Sequence, residues 1–154
     1  MRKVTLCFLL QGDEICLAMK KRGFGEGKYN GVGGKVGPDE SIEEAAIRET
    51  QEEIDVLVDP KDLDHRGTIT FTFAEKPDWD QEVHVFCIRT WSGTPTETEE
   101  MAPQWFLRTA IPYERMWIDD PLWLPTVLEG KRIRAHCALS CDGATIEKFT
   151  LEEI

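Results

Sequence analysis

Residues 41–54 carry the pattern that most constrains how this chain folds. Ser41, followed by Glu44 three positions later, forms the capping box that begins an α-helix, so we predict a helix from about 41 to 54. One face of this helix is apolar at its start and acidic at its end; it comprises Ile42, Ala45, Ala46, Glu49, Glu52 and Glu53. A face that packs on the core normally stays apolar, so the acidic end needs a separate explanation.

The three glutamates at the end of this face repel one another. Like charges four residues apart destabilise an isolated helix, and the helix dipole disfavours anions near its C-terminus. Arg48 can reach Glu52 four residues on, but one guanidinium does not neutralise three carboxylates. A hard divalent cation held by carboxylate oxygens, Mg²⁺ or Mn²⁺, is one explanation. A solvated acidic surface is the other, and the charge pattern alone does not choose between them.

The residues around the helix favour a bound metal ion over a solvated acidic surface. A glycine, Gly34, is followed after five residues by Glu40 and after seven more by the run Arg48-Glu49-Thr50-Gln51-Glu52-Glu53-Ile54-Asp55-Val56. This arrangement resembles the Nudix box, in which the same spacings lead to R-E-U-x-E-E-x-G-U with U apolar. Every charged position matches. Thr50 replaces an aliphatic residue and Asp55 replaces a glycine, so local packing at the end of the helix is expected to differ.

The resemblance to the Nudix hydrolase family implies a fold and a reaction. The fold is of the α+β class, an α/β/α sandwich in which a mixed β-sheet has helices packed on its faces. Members of the family hydrolyse a nucleoside diphosphate linked to another group, with a metal that neutralises phosphate charge and activates water. The expected cofactor is therefore Mg²⁺, with Mn²⁺ as a possible substitute.

The resemblance also assigns roles to residues of the box. It implies that Glu49, Glu52 and Glu53 bind the metal or orient its water, with the Gly34 carbonyl as a further ligand. Glu40 and Arg48 are then braces between loop and helix. Outside the box, Glu100 in the acidic run 97–100 is a candidate extra ligand or base, although an exposed acidic loop explains that run equally well. Lys20 and its basic neighbours flank the box and can meet phosphate oxygens.

The rest of the chain predicts a mixed sheet. At 154 residues the chain fits one domain, 1–154, without a linker or an internal repeat. We predict a hairpin of Val4–Leu10 and Ile15–Met19, a glycine-rich loop over 20–35, strands at Gly67–Phe73 and Glu82–Trp91, a helix at Pro121–Gly130 capped by Asp120, and a hairpin with a two-residue turn at Asp142-Gly143. Strands outnumber helices, and some of them are separated by helices.

Composition excludes several partners. The chain has 29 acidic and 18 basic residues, a formal charge of −11, so extended nucleic acid is a poor partner. No apolar run reaches the length of a membrane span. The five cysteines are odd in number and contain no C-x-x-C pair, which indicates neither a disulfide framework nor a zinc site. We expect a cytoplasmic protein that acts as a monomer on a small substrate.

The resemblance extends beyond the box to the mammalian MutT-homologue branch of the family, whose members hydrolyse oxidised purine nucleoside triphosphates. The matching segments are Lys20–Val36, residues 83–87 and Met116–Asp120. They imply a base pocket in which Asn30, Asp119 and Asp120 read the base and Trp117 stacks on it, with Phe24, Phe71, Thr5 and Leu6 as lining residues. On local sequence alone, a simpler interpretation has Asp120 capping the helix before Pro121, with Asp119 in solvent.

The paired aspartates predict a specific chemistry. Adjacent carboxyl groups beside aromatic surface do not both ionise cheaply, because like charge and burial each raise a pKa. A protonated carboxyl then donates to a purine oxygen while its ionised neighbour accepts a hydrogen bond. We therefore expect a Mg²⁺-dependent hydrolase that converts purine nucleoside triphosphates, such as 8-oxo-dGTP, to monophosphate and pyrophosphate, in sanitation of the nucleotide pool. The alternatives are a Nudix hydrolase for ADP-ribose, a cap or a dinucleoside polyphosphate, and a noncatalytic Nudix module that binds nucleotide or protein.

Overall fold

One mixed sheet of eight strands organises the chain in a computed structural model that describes all 154 residues. The strands are β1 (Arg2–Gln11), β2 (Glu14–Lys20), β3 (Tyr29–Asn30), β4 (Leu63–Phe73), β5 (Gln81–Ile88), β6 (Met101–Leu107), β7 (Ile133–Leu139) and β8 (Ile146–Glu153). The helices are α1 (Ile42–Ile54) and α2 (Asp120–Leu128). Neither helix has the length and apolar character that a transmembrane span requires.

The strands follow the order β3-β2-β1-β5-β4-β7-β8, and β6 pairs along β2. The pairs β1–β5 and β4–β7 are parallel, and the others are antiparallel. Only the end of β1 pairs with β2; the start of β1 pairs instead with the glycine-rich segment, through bridges from Val4 to Lys35 and from Cys7 to Val32. This arrangement brings the segment just before α1 onto the edge of β1.

Two hydrophobic clusters, one on each face of the sheet, confirm the predicted sandwich. Along β1, Phe8 and Leu10 belong to the cluster that holds the apolar residues of α2, whereas Cys7 and Leu9 belong to the cluster that holds those of α1. This alternation follows from the two-residue period of a strand, which sends successive side chains to opposite faces. The helices therefore lie on opposite faces of the sheet, as predicted for the α+β class.

Helix α1 begins as the capping box predicts. The Glu44 backbone N–H donates to the Ser41 hydroxyl (3.0 Å), and the Ser41 backbone N–H donates to the Glu44 carboxylate (2.9 Å). The helix ends at Asp55, whose backbone is left-handed at φ 58° and ψ 41°. Thr50 is fully buried and donates its hydroxyl to the Ala46 carbonyl (2.7 Å), which satisfies a polar group at a position that the family fills with an aliphatic side chain.

Several boundaries differ from the sequence prediction. Strand β4 begins at Leu63, four residues early, and β5 ends at Ile88 rather than Trp91. Strand β6, which contains Pro103, is not among the strands predicted from the sequence. The structure places β6 at an edge, paired only with β2, where a missing N–H is tolerated.

The glycine-rich loop and the last hairpin also differ. Within the predicted loop 20–35, the short strand β3 pairs with the end of β2. The predicted two-residue turn at Asp142-Gly143 is wrong, because β7 ends at Leu139 and β8 begins at Ile146. The connection is longer because Ser140 bonds both the backbone of Thr145 and the side chain of Asp142. Gly143 still adopts the positive φ of the turn, at 73°.

Candidate active site

Close backbone contact holds the segment before α1 against β1. A Cβ atom at Gly33 would lie 1.9 Å from the Thr5 carbonyl oxygen, and one at Gly31 would lie 2.7 Å from the Cys7 carbonyl oxygen. Only glycine permits this approach, because any side chain would clash with backbone that cannot move aside. The segment consequently places Gly33 and Gly34 directly beside the end of α1.

The predicted acidic residues form what we call the acidic site, which consists of Glu49, Glu52, Glu53 and Glu100. Glu53 is buried and accepts a hydrogen bond from the Gly33 backbone N–H (2.7 Å). Glu49 is half-buried against Gly34, where a Cβ would lie 2.6 Å from the Glu49 carboxyl carbon. Glu52 is exposed. The exposure of these glutamates to solvent therefore increases from Glu53 through Glu49 to Glu52.

Arg48 holds the acidic site to the preceding loop. Its guanidinium donates to both Glu40 oxygens (3.0 and 2.6 Å), to Glu49 (2.9 Å) and to Glu52 (3.2 Å). It also donates to the Lys35 carbonyl oxygen (3.1 Å). Hydrogen bonds from Arg48 lower the pKa of Glu40 to about 2. These contacts match the bracing role that the resemblance implies for Glu40 and Arg48.

The remaining carboxylates are crowded. Burial, together with the charges of Glu49 and Glu100, raises the pKa of Glu53 to about 7 against the opposing hydrogen bond from Gly33. Burial also raises the pKa of Glu49. Excess negative charge in a partly buried place is stabilised by a cation.

The donor set suits a hard divalent cation, although the side chains do not converge as they stand. No three His, Cys, Asp or Glu side chains are close enough together to hold a metal ion, since Arg48 and Gly33 engage the carboxylates. The Gly34 carbonyl oxygen accepts from the Thr5 backbone N–H (2.9 Å) and from its hydroxyl (3.3 Å). Oxygen ligands of this kind fit Mg²⁺ or Mn²⁺ after rotation of the glutamates.

Thr98, a residue that sequence reasoning missed, connects Glu100 to the glutamates of α1. The Thr98 hydroxyl donates to the Glu53 carbonyl (2.9 Å) and accepts from the Glu100 backbone N–H (3.3 Å). The Lys21 backbone N–H donates to the Glu100 carbonyl (2.8 Å), and its ammonium pairs with Glu97. Glu100 lines an open cleft of about 430 Å³ with Lys20, Arg22 and Gly23. No local motif in the sequence marks Thr98 as a link to the helix.

The aspartate pair lies in the core, which corrects the simple capping interpretation. Asp120 is the first residue of α2 rather than its N-cap, and Asp119 occupies the cap position without a capping hydrogen bond. Asp119 accepts instead from the Trp123 indole N–H (2.8 Å), and Asp120 accepts from the Trp117 backbone N–H (2.9 Å). Trp123, four residues after Asp119 on the same helix face, is a signal that sequence reasoning missed.

Burial is the main cause of the raised pKa of both aspartates. The pKa of Asp120 lies well above its ordinary value, because burial is reinforced by the charge of Asp119. The pair therefore holds protons more tightly than a solvated pair of aspartates does. A neutral carboxyl beside an ionised one provides a donor and an acceptor side by side.

The other predicted pocket residues lie on several different elements. Phe24 is 79% exposed and lies against Trp117, with ring centroids 5.2 Å apart. Asn30 is on β3 and accepts the Gly31 N–H with its side-chain oxygen (2.8 Å). Phe71 and Leu6 pack in the α2-side cluster. Thr5 is buried, and its hydroxyl points to Gly34 at the acidic site.

A model of the NUDIX domain family matches residues 1–127, which include α1, the acidic site and the aspartate pair. The chain belongs to the Nudix hydrolase family. Members of this family generally need a divalent metal ion.

Two relatives match most of this Nudix chain. It is 43% identical over 153 residues to the oxidized purine nucleoside triphosphate hydrolase of Mus musculus, covering 99% of this chain and 96% of the relative. It is 46% identical over 133 residues to the protein of the same name from Danio rerio, covering 86% and 83%.

Solved structures share the fold at lower identity. A MutT protein from Bacillus halodurans superposes with a TM-score of 0.85 at 22% identity, over 99% of this chain and 98% of that one. A MutT Nudix hydrolase from Burkholderia pseudomallei gives 0.72 at 22% identity, over 82% and 97%. These likenesses extend the Nudix fold over the whole chain, β7 and β8 included.

Proposed function

We propose that this Nudix hydrolase converts oxidised purine nucleoside triphosphates, such as 8-oxo-dGTP, and water to the nucleoside monophosphate and pyrophosphate, and thereby sanitises the nucleotide pool. The observation that carries the proposal is the burial of Asp119 and Asp120 beside Trp117, which raises the pKa of both carboxyl groups. The mouse and zebrafish relatives support it, because each is named as an oxidized purine nucleoside triphosphate hydrolase.

The phosphate chain is bound at the acidic site. When bound, Mg²⁺, for which Mn²⁺ can substitute, would neutralise phosphate charge and lower the pKa of a water molecule. Glu49, Glu52 and Glu53 would hold this ion, with Glu100 and the Gly34 carbonyl as additional oxygen donors. Arg48 and Glu40 keep helix and loop in place. Lys20, at the cleft beside Glu100, contacts phosphate oxygens.

The base binds at the aspartate pair. Oxidation at C8 turns N7 of a purine from an acceptor into a donor, so the altered base needs a different set of partners. A protonated carboxyl donates to a purine oxygen, and the ionised one accepts from N–H groups. Asn30 supplies a side-chain amide, Trp117 stacks on the ring, and Phe24 and Phe71 add apolar surface.

We further propose that the protein acts as a monomer on free nucleotides in the cytoplasm. The formal charge of −11 disfavours long polyanions, whereas a short phosphate chain is held by local charge and screened elsewhere.

The test is a panel of substrates assayed with purified protein and Mg²⁺. It contains 8-oxo-dGTP, dGTP, ADP-ribose, a cap analogue and a dinucleoside polyphosphate. We expect the highest kcat/KM for 8-oxo-dGTP, with pyrophosphate as the co-product. A preference for one of the last three would replace the substrate while keeping the family reaction. Tight nucleotide binding without turnover at saturating Mg²⁺ would favour a noncatalytic module instead, against which the three retained glutamates argue.

The bond that is cleaved is tested separately. Hydrolysis in ¹⁸O-labelled water, followed by mass spectrometry, shows whether the label enters the monophosphate or the pyrophosphate. Either result is compatible with the overall products, whereas release of inorganic phosphate in place of pyrophosphate would contradict the proposed reaction.

A further inference from the structure

Four arginines lie at the end of the sheet away from the acidic site, and three of them pair with one aspartate; we call Arg66, Arg89, Arg108 and Arg132 the arginine cluster. Three of them pair with the Asp64 carboxylate, Arg66 at 2.9 Å and Arg89 and Arg132 at 3.6 Å each. Arg108 and two of these are close enough that their charges act on the buried thiol of Cys87. Such a concentration of positive charge is unexpected in a chain with a formal charge of −11.

Asp64 does not neutralise the arginine cluster. Its single carboxylate faces three guanidinium groups, which leaves a local excess of positive charge before Arg108 is counted. The contacts of Arg89 and Arg132 with Asp64 are too long for hydrogen bonds. Their side chains are 52% and 59% exposed, so they present free N–H groups to solvent.

The floor of the arginine cluster also contains unpaired donors. The side chain of Arg66 is only 13% exposed; it donates to the Gly130 carbonyl (2.6 Å) but leaves its Nε–H without a partner. Arg108 likewise has a buried Nε without a partner, and these are the two buried side-chain nitrogen or oxygen atoms of the chain in that condition. A buried donor without an acceptor is costly, so an oxygen from outside the protein is favoured there.

The arginine cluster is distinct from the acidic site. Asp64 on β4 is the cross-strand neighbour of Cys87 on β5, and Cys87 belongs to the hydrophobic cluster on the α2 side of the sheet. The glutamates of the acidic site are on α1, which packs on the opposite face. Thr5, which lies beside Gly34 at the acidic site, is opposite His84 on β5, and Arg89 follows His84 by five residues along the chain. At about 3.3 Å per residue, Arg89 therefore lies roughly 16 Å along the sheet from the Gly34 end of the acidic site.

We propose that the arginine cluster binds a phosphate-class oxyanion, as free phosphate or pyrophosphate or as a phosphate ester. Guanidinium groups match the oxygens of such an anion because their planar donors bind two oxygens at once. Arg66 and Asp64 form the floor, and the exposed Arg89 and Arg132 close over the ligand. This site is independent of the proposed reaction, so the failure of either proposal leaves the other standing.

The experiment titrates the ¹⁵N-labelled full-length protein with inorganic phosphate, pyrophosphate and ribose 5-phosphate, followed by NMR. EDTA removes metal ions, sodium chloride keeps ionic strength constant, and probes without a base avoid the base pocket. We expect saturable shifts of the Arg66 and Arg108 Nε–H signals and of backbone amides around Asp64, Arg89 and Arg132. The difference between the inorganic anions and the ester identifies the source of the phosphate.

Variants then assign the binding. Arg89→Ser combined with Arg132→Ser removes two exposed arginines and is expected to weaken binding at least tenfold. The control is Arg134→Ser, since Arg134 is also an exposed, ion-paired arginine. Its neighbours Ile133 and Ala135 on β7 face the α2 side of the sheet, so Arg134 points to the opposite face. Shifts that never saturate, that persist unchanged in the double variant, or that map to residues 20–28 would overturn the proposal. Binding of an acidic peptide without any response to phosphate would overturn it as well.

Discussion

Glu53 is the residue on which the acidic site depends most. It is the most buried of the four glutamates. Its carboxylate accepts a hydrogen bond from the Gly33 N–H, and its backbone carbonyl accepts one from the Thr98 hydroxyl. Its raised pKa, about 7, reflects burial and neighbouring charge rather than a lack of hydrogen bonds. Such a group binds a cation or a proton more readily than an exposed glutamate does.

Replacing Glu53 with Gln is expected to cut kcat by roughly 10² or more, because it removes one anionic oxygen ligand without changing the side-chain shape. Nucleotide affinity should change much less, since the base pocket is untouched. Steady-state kinetics and binding in the absence of metal separate the two effects. The matched control is Glu43→Gln, which makes the same chemical change on the exposed first turn of α1. Equal activity of both variants would place the metal elsewhere.

Asp120 gives a prediction about pH. Its raised pKa means that the folded state holds the proton more tightly than the unfolded state does, so folding free energy is lost as the pH rises from the unfolded value toward the folded one. Asp120→Asn removes this loss. We expect the variant to be more stable than the wild type by about 1 kcal/mol or more at pH 8, with a difference that shrinks toward pH 4.

Urea unfolding at several pH values measures this difference. Asp39→Asn, on the exposed loop before α1, serves as the control and should leave the pH dependence unchanged. If the difference in unfolding free energy between Asp120→Asn and the wild type stays constant from pH 4 to pH 8, the pKa of Asp120 is not raised. Loss of purine selectivity in the same variant is a separate measurement of base reading.

At the scale of single elements, the end of α1 is strained. Asp55 adopts left-handed backbone at φ 58°, a conformation that glycine adopts without strain. We expect Asp55→Gly to stabilise the protein by roughly 0.5–1 kcal/mol, after allowance for the larger entropy of glycine in the unfolded chain. Chemical denaturation measures the change. Asp55→Ala should destabilise it, and the same sign for both substitutions would show that backbone strain is not the cause.

The loop that carries Glu100 is a second element whose position depends on one side chain. Thr98 joins the Glu53 carbonyl to the backbone of Glu100, so Thr98→Val should release the loop. We expect a loss of about 1 kcal/mol in stability and about tenfold in kcat, with a higher metal concentration for half-maximal rate.

Thr98→Ser keeps the hydroxyl and should restore both the rate and the metal requirement. If Thr98 had a purely structural role, Thr98→Val would lower stability without changing the metal concentration for half-maximal rate. A titration of the rate with metal ion therefore decides whether Thr98 positions Glu100. Normal metal dependence in Thr98→Val would remove Glu100 from the acidic site.

For the whole molecule, charge and metal binding are linked. Mg²⁺ that binds only the folded chain adds about 2.7 kcal/mol to the unfolding free energy at a hundredfold excess over its Kd. We therefore expect Mg²⁺ to raise Tm in the wild type and to do so far less in Glu49→Gln. Sodium chloride at matched ionic strength controls for general screening of the charge of −11. Equal stabilisation by both salts would indicate screening alone.

The sequence by itself determined α1, its capping box and the spacing of the charged residues in the Nudix box. These features depend on neighbours within a few residues, and a helix expresses such spacing directly as position on a face. The same holds for the alternation of Ile69, Phe71 and Phe73 in β4. The family, and with it the fold class, followed from this local information.

Tertiary structure decided what each carboxylate contacts. From local sequence, Asp120 is predicted to cap α2 and Asp119 to lie in solvent, yet the packing of α2 buries both and pairs Asp119 with Trp123. The edge strand β6, the link from Thr98 to Glu53 and the arginine cluster all join residues that are far apart in the chain. Burial and electrostatic coupling depend on such long-range contacts, which no local pattern in a single sequence records.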